Sequence, residues 1–338
     1  MSEKLGICVV GCGYMGRIHA ERWANIPSAE IVAVADLDEV RADKLANHLN
    51  LDCYYKDYLD AIALPEVDVV SICTPTHLHA QVTVEAAELG KHILCEKPIA
   101  LTLADADQMI AAAKANNVKL GLGFMRRHSA VVRDLKDLLA AGKFGRPVLY
   151  NASDVRELRP KREMHDARVN GGPVIDMAVH LIDLWTTIFD SRPVSVSAQG
   201  LKIAQDRPEI DHIKAVAVDT ATVLVKYISG DIGTFTVTWG LPPKVTPPSH
   251  NDLFFGPKGL GAAYYAGNKQ ELRLMRENGA WETVAISHED MYQNQAASFA
   301  KWITDDEPFP ATGEEGKSAL RVALAALESI QSGKTIQL

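Results

Sequence analysis

Short, continuously apolar runs alternate with amphipathic stretches through the first 122 residues of the chain. Strands are expected at 7–10, 31–35, weakly around Tyr54, and at 69–73, 92–95 and 119–122, with helices at 78–89 and 103–116 among the segments between them. A run that is apolar at successive positions suits a strand buried on both faces, and strand–helix–strand order favours right-handed crossovers between parallel neighbours. Residues 1–122 are therefore expected to form an N-terminal α/β domain, a doubly wound parallel sheet of the Rossmann type.

After Gly123 the pattern changes. Helices are expected at 131–139 and 174–189, after which β-like runs at 194–198, 220–227, 231–239, 253–255, 262–265 and 283–286 follow one another with no helix between them. Gly230 and Gly256 supply turn signals, and Pro242, Pro243, Pro247 and Pro248 flank a loop that a central strand could not accommodate. Such a meander predicts a second, α+β domain over 123–338 with a large, mostly antiparallel open sheet covered on one face by helices. Two terminal helices, at 293–303 and 314–330, complete it, the last of them able to pack back on the first domain.

Composition narrows the function classes. The chain is 47% hydrophobic and 23% charged, with a formal net charge of −8. That describes an ordinary soluble globular protein and opposes a nucleic-acid surface, which needs a basic stripe to neutralise phosphates. No apolar run reaches the length of a membrane span or a signal-peptide core, so no membrane partner and a cytoplasmic location are expected. The five cysteines show no CxxC spacing and read as free thiols, with Cys8, Cys73 and Cys95 in or at the ends of apolar strands and Cys12 in a turn that needs a small side chain.

That turn, Gly11-Cys12-Gly13-Tyr14-Met15-Gly16, follows an apolar strand and opens a helix. Gly11 permits the tight turn, Gly13 lets backbone amides approach a pyrophosphate, and Gly16 allows close helix packing, while the helix N-terminus faces the phosphates. Asp36 ends the next strand, where its carboxylate can accept from both ribose hydroxyls and repel the extra phosphate of NADP, and Leu37 rather than arginine follows it. The expected cofactor is NAD, held by this turn with Tyr14, Met15 and Asp36. Thr74, Pro75 and His79 follow the 69–73 strand, where backbone passes the nicotinamide half, with Thr76 as a helix N-cap. Glu96 and Lys97 end the 92–95 strand at the carboxyl edge where such sheets place ligands, Glu96 orienting the loop at Pro98 and Lys97 pointing to the crevice.

Asp176, His180 and Asp183 recur at i, i+4 and i+7 on an otherwise apolar helix, a polar stripe that needs a cleft to meet it, although Asp183 reads as a structural partner. His77 and His79 suggest a metal, but no third ligand stands at recognisable spacing, so no metal is expected. The charge-dense stretch 154–168, beginning at Asp154, reads equally as a solvated face or as a loop ordered over a polar substrate.

The segments GCGYMG with Asp36, CTPTHLHA, CEKPIA and GGPVIDMAVHLIDLW together resemble the Gfo/Idh/MocA oxidoreductases over essentially the whole chain. Ala178 departs from the glycine common in that family two positions after the aspartate. The resemblance implies Lys97, Asp176 and His180 as catalytic residues. The run Gly123-Phe124-Met125-Arg126-Arg127 is similar to inositol dehydrogenases, which implies Arg127 near the substrate together with Lys97, Asp154, Asp176 and His180. The implied reaction oxidises a secondary hydroxyl of a cyclitol, sugar or sugar derivative, with His180 as base and Lys97 stabilising the alkoxide.

Two other readings stand beside it. An NAD-dependent glycosidase or lyase would use transient sugar oxidation, and a non-catalytic sensor would only bind the cofactor. The resemblance also implies a homodimer or homotetramer through the C-terminal sheet, whose uncovered face would carry Val223, Val225 and Tyr227, with Thr222 and Lys226 on the opposite face.

Overall fold

The computed structural model describes residues 4–159, 161–245, 252–266, 269–275, 278–284, 286–287 and 289–338. Two compact units emerge: Met1–Met125 with Asp290–Lys317, and Arg126–Glu289 with Ser318–Leu338. The sequence division after residue 122 is a single cut, whereas each unit takes a second segment from the C-terminal part of the chain.

The first unit runs β1 (Leu5–Val10), α1 (Tyr14–Ala24), β2 (Ala29–Ala35), α2 (Glu39–Leu49), α3 (Tyr58–Ile62), β3 (Val69–Ile72), α4 (His79–Glu88), β4 (His92–Cys95), α5 (Leu103–Ala115) and β5 (Leu120–Leu122). Its strands pair in parallel in the order β2-β1-β3-β4-β5. Ile7, Cys8, Val9, Val69, Val70, Ile93 and Leu94 are wholly buried, as continuous apolar runs with helices on both faces require. The chain leaves β1 toward β2 and returns past it to β3, so the strand order reverses at the carboxyl ends of β1 and β3, the place where open α/β sheets hold ligands. The weak strand expected near Tyr54 reduces to one bridge between Ala35 and Tyr55. Thr76 does not cap α4; it is buried inside the short 3₁₀ turn Thr76–Leu78 that precedes it.

The second unit contains α6 (Ala130–Ala140), β6 (Leu149–Glu157), α7 (Gly172–Asp176), α8 (Ala178–Phe189), β7 (Pro193–Leu201), β8 (Thr220–Tyr227), β9 (Ile232–Leu241), β10 (Asp252–Gly256), β11 (Gly259–Ala266), β12 (Lys269–Met275) and β13 (Trp281–Val284). The chain closes with α9 (Met291–Thr304), α10 (Gly313–Ser332) and β14 (Ile336–Gln337). The first unit claims α9, where Phe299 meets Trp23 edge-on with ring centroids 6.3 Å apart. The division falls inside α10, which gives the second unit its residues from Ser318 onward.

The second unit's sheet has nine strands in the order β13-β12-β11-β10-β6-β9-β8-β7-β14, antiparallel except for the parallel pair β6–β9. Strands β6 and β12 were not expected from the sequence. The first lies where charge masks the alternation, and its central place joins two antiparallel halves. Pro247 and Pro248 lie outside the described residues.

One expectation about this sheet is overturned. Val223 and Val225 are fully buried and Tyr227 is 2% exposed, with the Tyr227 ring 5.1 Å from that of Phe189 on α8, so these residues face the unit's own helices. The outer face carries exposed Thr222, Thr236 and Lys226 instead, with Thr222 and Thr236 hydroxyls 3.2 Å apart across the strands. Alternation correctly separates the two faces, but it does not say which one a helix covers.

Candidate active site

The glycine turn is locked to Asp36. One carboxylate oxygen accepts from the Cys12 N–H and the other from the Asp38 N–H, both at 2.8 Å. Gly11 stands at φ +95°, and a Cβ there would lie 2.7 Å from Cys73 backbone atoms. A Cβ on Gly16 would fall 1.8 Å from the Gly11 carbonyl oxygen. Gly13 is different, because a Cβ there would meet nothing within 4 Å. Its hydrogen faces open space at the start of α1, whose N-terminus receives no side-chain cap. An uncapped helix end beside an open glycine and a fixed acid fits the pyrophosphate and ribose of a dinucleotide. Tyr14 is 78% exposed beside it, while burial, with Asp36 adding to it, pushes the Cys12 thiol up to about 12, which makes it inert.

The β3–α4 connection presents Thr74 and Pro75, both half-buried. The buried Thr74 hydroxyl has no hydrogen-bond partner among the described residues, the kind of orphan a bound amide or hydroxyl satisfies. His79, expected at the cofactor, is 1% exposed, with Nδ1 2.8 Å from the Pro98 carbonyl and Nε2 3.1 Å from that of Thr74. Burial pushes its pKa down, and in this place the ring ties two loops together.

Lys97 is half-buried and precedes a cis Pro98. Glu96 turns inward at 6% exposure: His19 Nε2 donates to it at 2.9 Å, and the Lys97 backbone N–H donates to its other oxygen at 3.2 Å. His19 Nδ1 lies 2.8 Å from the Ser71 hydroxyl. Burial alone would lower the His19 pKa, but the Cys73 sulfur and the Glu96 carboxylate together raise it to about 10. Gly123 leaves room for this carboxylate, since a Cβ there would sit 2.8 Å from its oxygen. The sequence placed Glu96 at the loop but carried no sign of His19 as its partner.

In the second unit the expected continuous helix over 174–189 is broken at Met177 into α7 and α8. Asp176 ends α7 at 8% exposure, and His180 and Asp183 lie on α8 at 7% and 3%. Arg127 closes on Asp183 with two nitrogens, Nη2 at 2.7 Å and Nε at 3.0 Å, so the guanidinium expected at substrate and the acid read as structural form a pair.

Within the same unit a cavity of about 170 Å³ is lined by Arg126, Ser153, Asp154, Arg156, Met177, Leu181, Asp252 and Tyr264, among others. Asp154 Oδ1 accepts from Arg156, while Oδ2 is buried without a hydrogen-bond partner among the described residues. The lining takes Met177 and Leu181, the residues immediately following Asp176 and His180. Arg159 lies over Trp239, 5.2 Å from its ring centroid. Its cation is weakened by burial and by Arg156 and supported by Asp176 and Asp154. The charged stretch thus divides between strand β6 at 154–157 and a segment around the 3₁₀ turn Arg162–His165, in which His165 and Asp166 are buried while Lys161, Glu163 and Arg168 are exposed, with Pro160 outside the described residues. Ser153, Asp252 and Tyr264 were missed, because β10 and β11 bring the last two to β6 only through pairing across the sheet.

Residues 5–124 match the family described as oxidoreductase family, NAD-binding Rossmann fold, and residues 132–254 match the GFO/IDH/MocA C-terminal domain. A myo-inositol 2-dehydrogenase of Thermotoga maritima is 31% identical over 98% of each chain. A crystal structure of a probable dehydrogenase from Thermotoga maritima is 29% identical, with a TM-score of 0.78 over 98% of both chains. The aldose-aldose oxidoreductase of Caulobacter crescentus, complexed with glycerol, shares the fold at a TM-score of 0.86 and 24% identity, covering 99% of this chain and 100% of that one.

Proposed function

We propose that this chain, which belongs to the Gfo/Idh/MocA family of NAD-binding oxidoreductases, oxidises a secondary hydroxyl of a cyclitol, sugar or sugar derivative in the manner of an inositol dehydrogenase. The observation that carries the substrate class is the small cavity of the second unit. Ser153, Asp154, Arg156, Asp252 and Tyr264 converge there, and Asp154 Oδ2 is an acceptor with no donor among the described residues. A polyol, dense in O–H donors, is the ligand such a lining satisfies.

NAD, when bound, supplies the acceptor for the hydride leaving the carbinol carbon. His180 would take the hydroxyl proton, the part an imidazole plays as a general base near pH ~7. Lys97 donates to the same oxygen and stabilises its developing negative charge, and Asp176 orients a neighbouring group. Asp154 fixes a further hydroxyl through its open oxygen. Thr74 and the glycine turn would hold the cofactor, with Asp36 accepting from its ribose hydroxyls.

The test is a panel of cyclitols, sugars and sugar acids with NAD, followed as NADH absorbance. Stoichiometric NADH with one of them is expected, and His180→Ala and Lys97→Ala should each lower kcat by about 10²–10⁴-fold. Product formed without net NADH would replace the dehydrogenase by the transient-oxidation glycosidase or lyase. NADH binding with no turnover of any candidate, in a protein whose two variants behave as wild type, would leave only a sensor.

We further propose that the enzyme works in the cytoplasm, where its five free thiols stay reduced, as a homodimer or homotetramer through the outer face of the nine-stranded sheet. Leu253 and Phe255, 38% and 43% exposed on β10, contribute apolar surface to that face. Light scattering decides: a mass of 36.8 kDa, unchanged on concentration, rules the assembly out.

A further inference from the structure

Two arginines follow the cavity acid Asp154 along the chain, and only one of them has a carboxylate. Arg156, in the cavity wall, gives its Nε–H to Asp154. Arg159 makes no ion pair among the described residues, and its Nε is buried with no hydrogen-bond partner there. An aromatic ring and the main chain hold it instead. Its guanidinium lies over Trp239, 5.2 Å from the ring centroid, and its backbone N–H donates to His165 Nε2 at 3.1 Å. A ring can fix a guanidinium in place without supplying an oxygen to its donors.

The pairing of β6 with β9 puts this guanidinium on the cavity's side of the sheet. Ala152 and Asp154, both cavity residues, stand opposite Phe235 and Val237 in parallel register, and residues so paired share a face. That face is the helix-covered one, since Trp185 of α8 meets Phe235 with ring centroids 6.0 Å apart. Trp239, 1% exposed, continues the row of Phe235 and Val237, while Thr238 turns the other way and meets the Thr220 hydroxyl at 2.7 Å. Helix α7, which ends in Asp176, packs against β9 and against the turn Arg162–His165. Arg159 is accordingly within electrostatic reach of both Asp154 and Asp176, and Arg156 repels it.

The nitrogens left over at this end of the face are donors. His165 Nε2 accepts from Arg159, so the ring's proton is on Nδ1, which like Trp239 Nε1 and Arg159 Nε is buried without a partner among the described residues. A hydroxyl would bring a donor of its own, whereas a carboxylate has acceptors only, two oxygens that match the guanidinium fork. It would also relieve the repulsion between two arginines that have one paired carboxylate, Asp154, between them.

We propose that Arg159 is a specificity residue for an anionic substrate, its guanidinium taking the carboxylate of a sugar acid while Asp154 Oδ2 accepts from a hydroxyl of the same molecule. This rests on the reading of the cavity as the substrate site and narrows its substrate class.

The test reads binding and turnover separately. D-Gluconate, D-glucuronate and D-galacturonate, the neutral D-glucose, D-galactose and myo-inositol, and D-glucose 6-phosphate are titrated by calorimetry into NADH-saturated wild type, Arg159→Gln and Arg159→Lys. At least one acid is expected to bind the wild type about tenfold or more tighter than the neutral compounds, since a hydrogen bond to a charged group is worth roughly ten- to a hundredfold. Arg159→Gln should bring that ratio to about one. Arg159→Lys keeps the charge but not the fork, should recover part of the preference, and serves should the glutamine variant fail to fold. The preference should also weaken with salt, as partly exposed charges are screened. Neutral compounds bound as tightly as the acids, no binding of any acid, an acid preference that survives Arg159→Gln, or the 6-phosphate bound ahead of the acids would overturn the assignment. NADH formed from a neutral polyol without acid binding removes the carboxylate subsite and keeps the dehydrogenase. Acid binding through Arg159 with no NADH formed from any compound keeps the subsite and removes the dehydrogenase.

Discussion

Glu96→Gln removes one buried charge from the first unit while leaving an oxygen where His19 donates. In the native protein the two side chains meet at 2.9 Å with 2% and 8% exposure. The His19 pKa rises from 6.5 to about 10, against burial and through Cys73 and Glu96. At about 1.4 kcal/mol for each unit of that rise, the ceiling on its contribution to stability is about 5 kcal/mol. Cys73 is itself a buried thiol whose ionisation burial suppresses, so its share of the rise is discounted and the pairing with Glu96 is left to carry it. The expected loss is therefore about 3 kcal/mol, at the lower end of what breaking a buried pair costs. In the variant a neutral ring still donates Nε2–H to the amide oxygen and accepts the Ser71 hydroxyl at Nδ1, so the hydrogen bonds survive and the charge effect is isolated. Because the folded pKa lies above the unfolded one, this stability is complete below the unfolded pKa and is lost as pH rises through the folded one. Urea unfolding should show wild type ahead of the variant by about 3 kcal/mol near pH 6 and by about 1 kcal/mol or less near pH 9.5. A gap of the same size at both pH values would refute a protonated, paired His19.

Three further outcomes follow from named contacts. Arg127→Met leaves Asp183 charged at 2% side-chain exposure without its guanidinium; a loss of about 3–5 kcal/mol is expected in urea unfolding, and a change within experimental error would mean the pair is idle. A Cβ on Gly233 would lie 2.2 Å from the Trp185 ring, so Gly233→Ala should cost about 1–3 kcal/mol through overpacking, read by calorimetry as a lowered Tm. Asp154→Asn, once a substrate is in hand, should raise KM by about tenfold with a smaller effect on kcat, the loss of one charge-assisted hydrogen bond; unchanged KM would remove Asp154 from the substrate site.

Local chemistry made the first unit legible. A glycine in the left-handed region at Gly11, an acid closing the second strand and continuously apolar strands are each consequences of a few adjacent residues, and they specify the parallel sheet and its cofactor turn without reference to distant parts. The polar stripe at Asp176, His180 and Asp183 was equally visible, because buried polar groups break an apolar pattern wherever they occur. The kink at Met177 was not, since neither Asp176 nor Ala178 breaks a helix and only the packed backbone interrupts it.

Tertiary structure alone decided the partners. Glu96 finds His19 across 77 positions and Arg127 finds Asp183 across 56, and no spacing rule links charges that far apart. Strand β6 hid behind its own charges because those side chains are taken up by a cavity that β10 and β11 help to wall. The alternation at Val223, Val225 and Tyr227 determined that one face of β8 would be dry. That the unit's own helices rather than another subunit would dry it depended on where α8 packs, a long-range choice that hydrophobic periodicity leaves open because burial is non-directional.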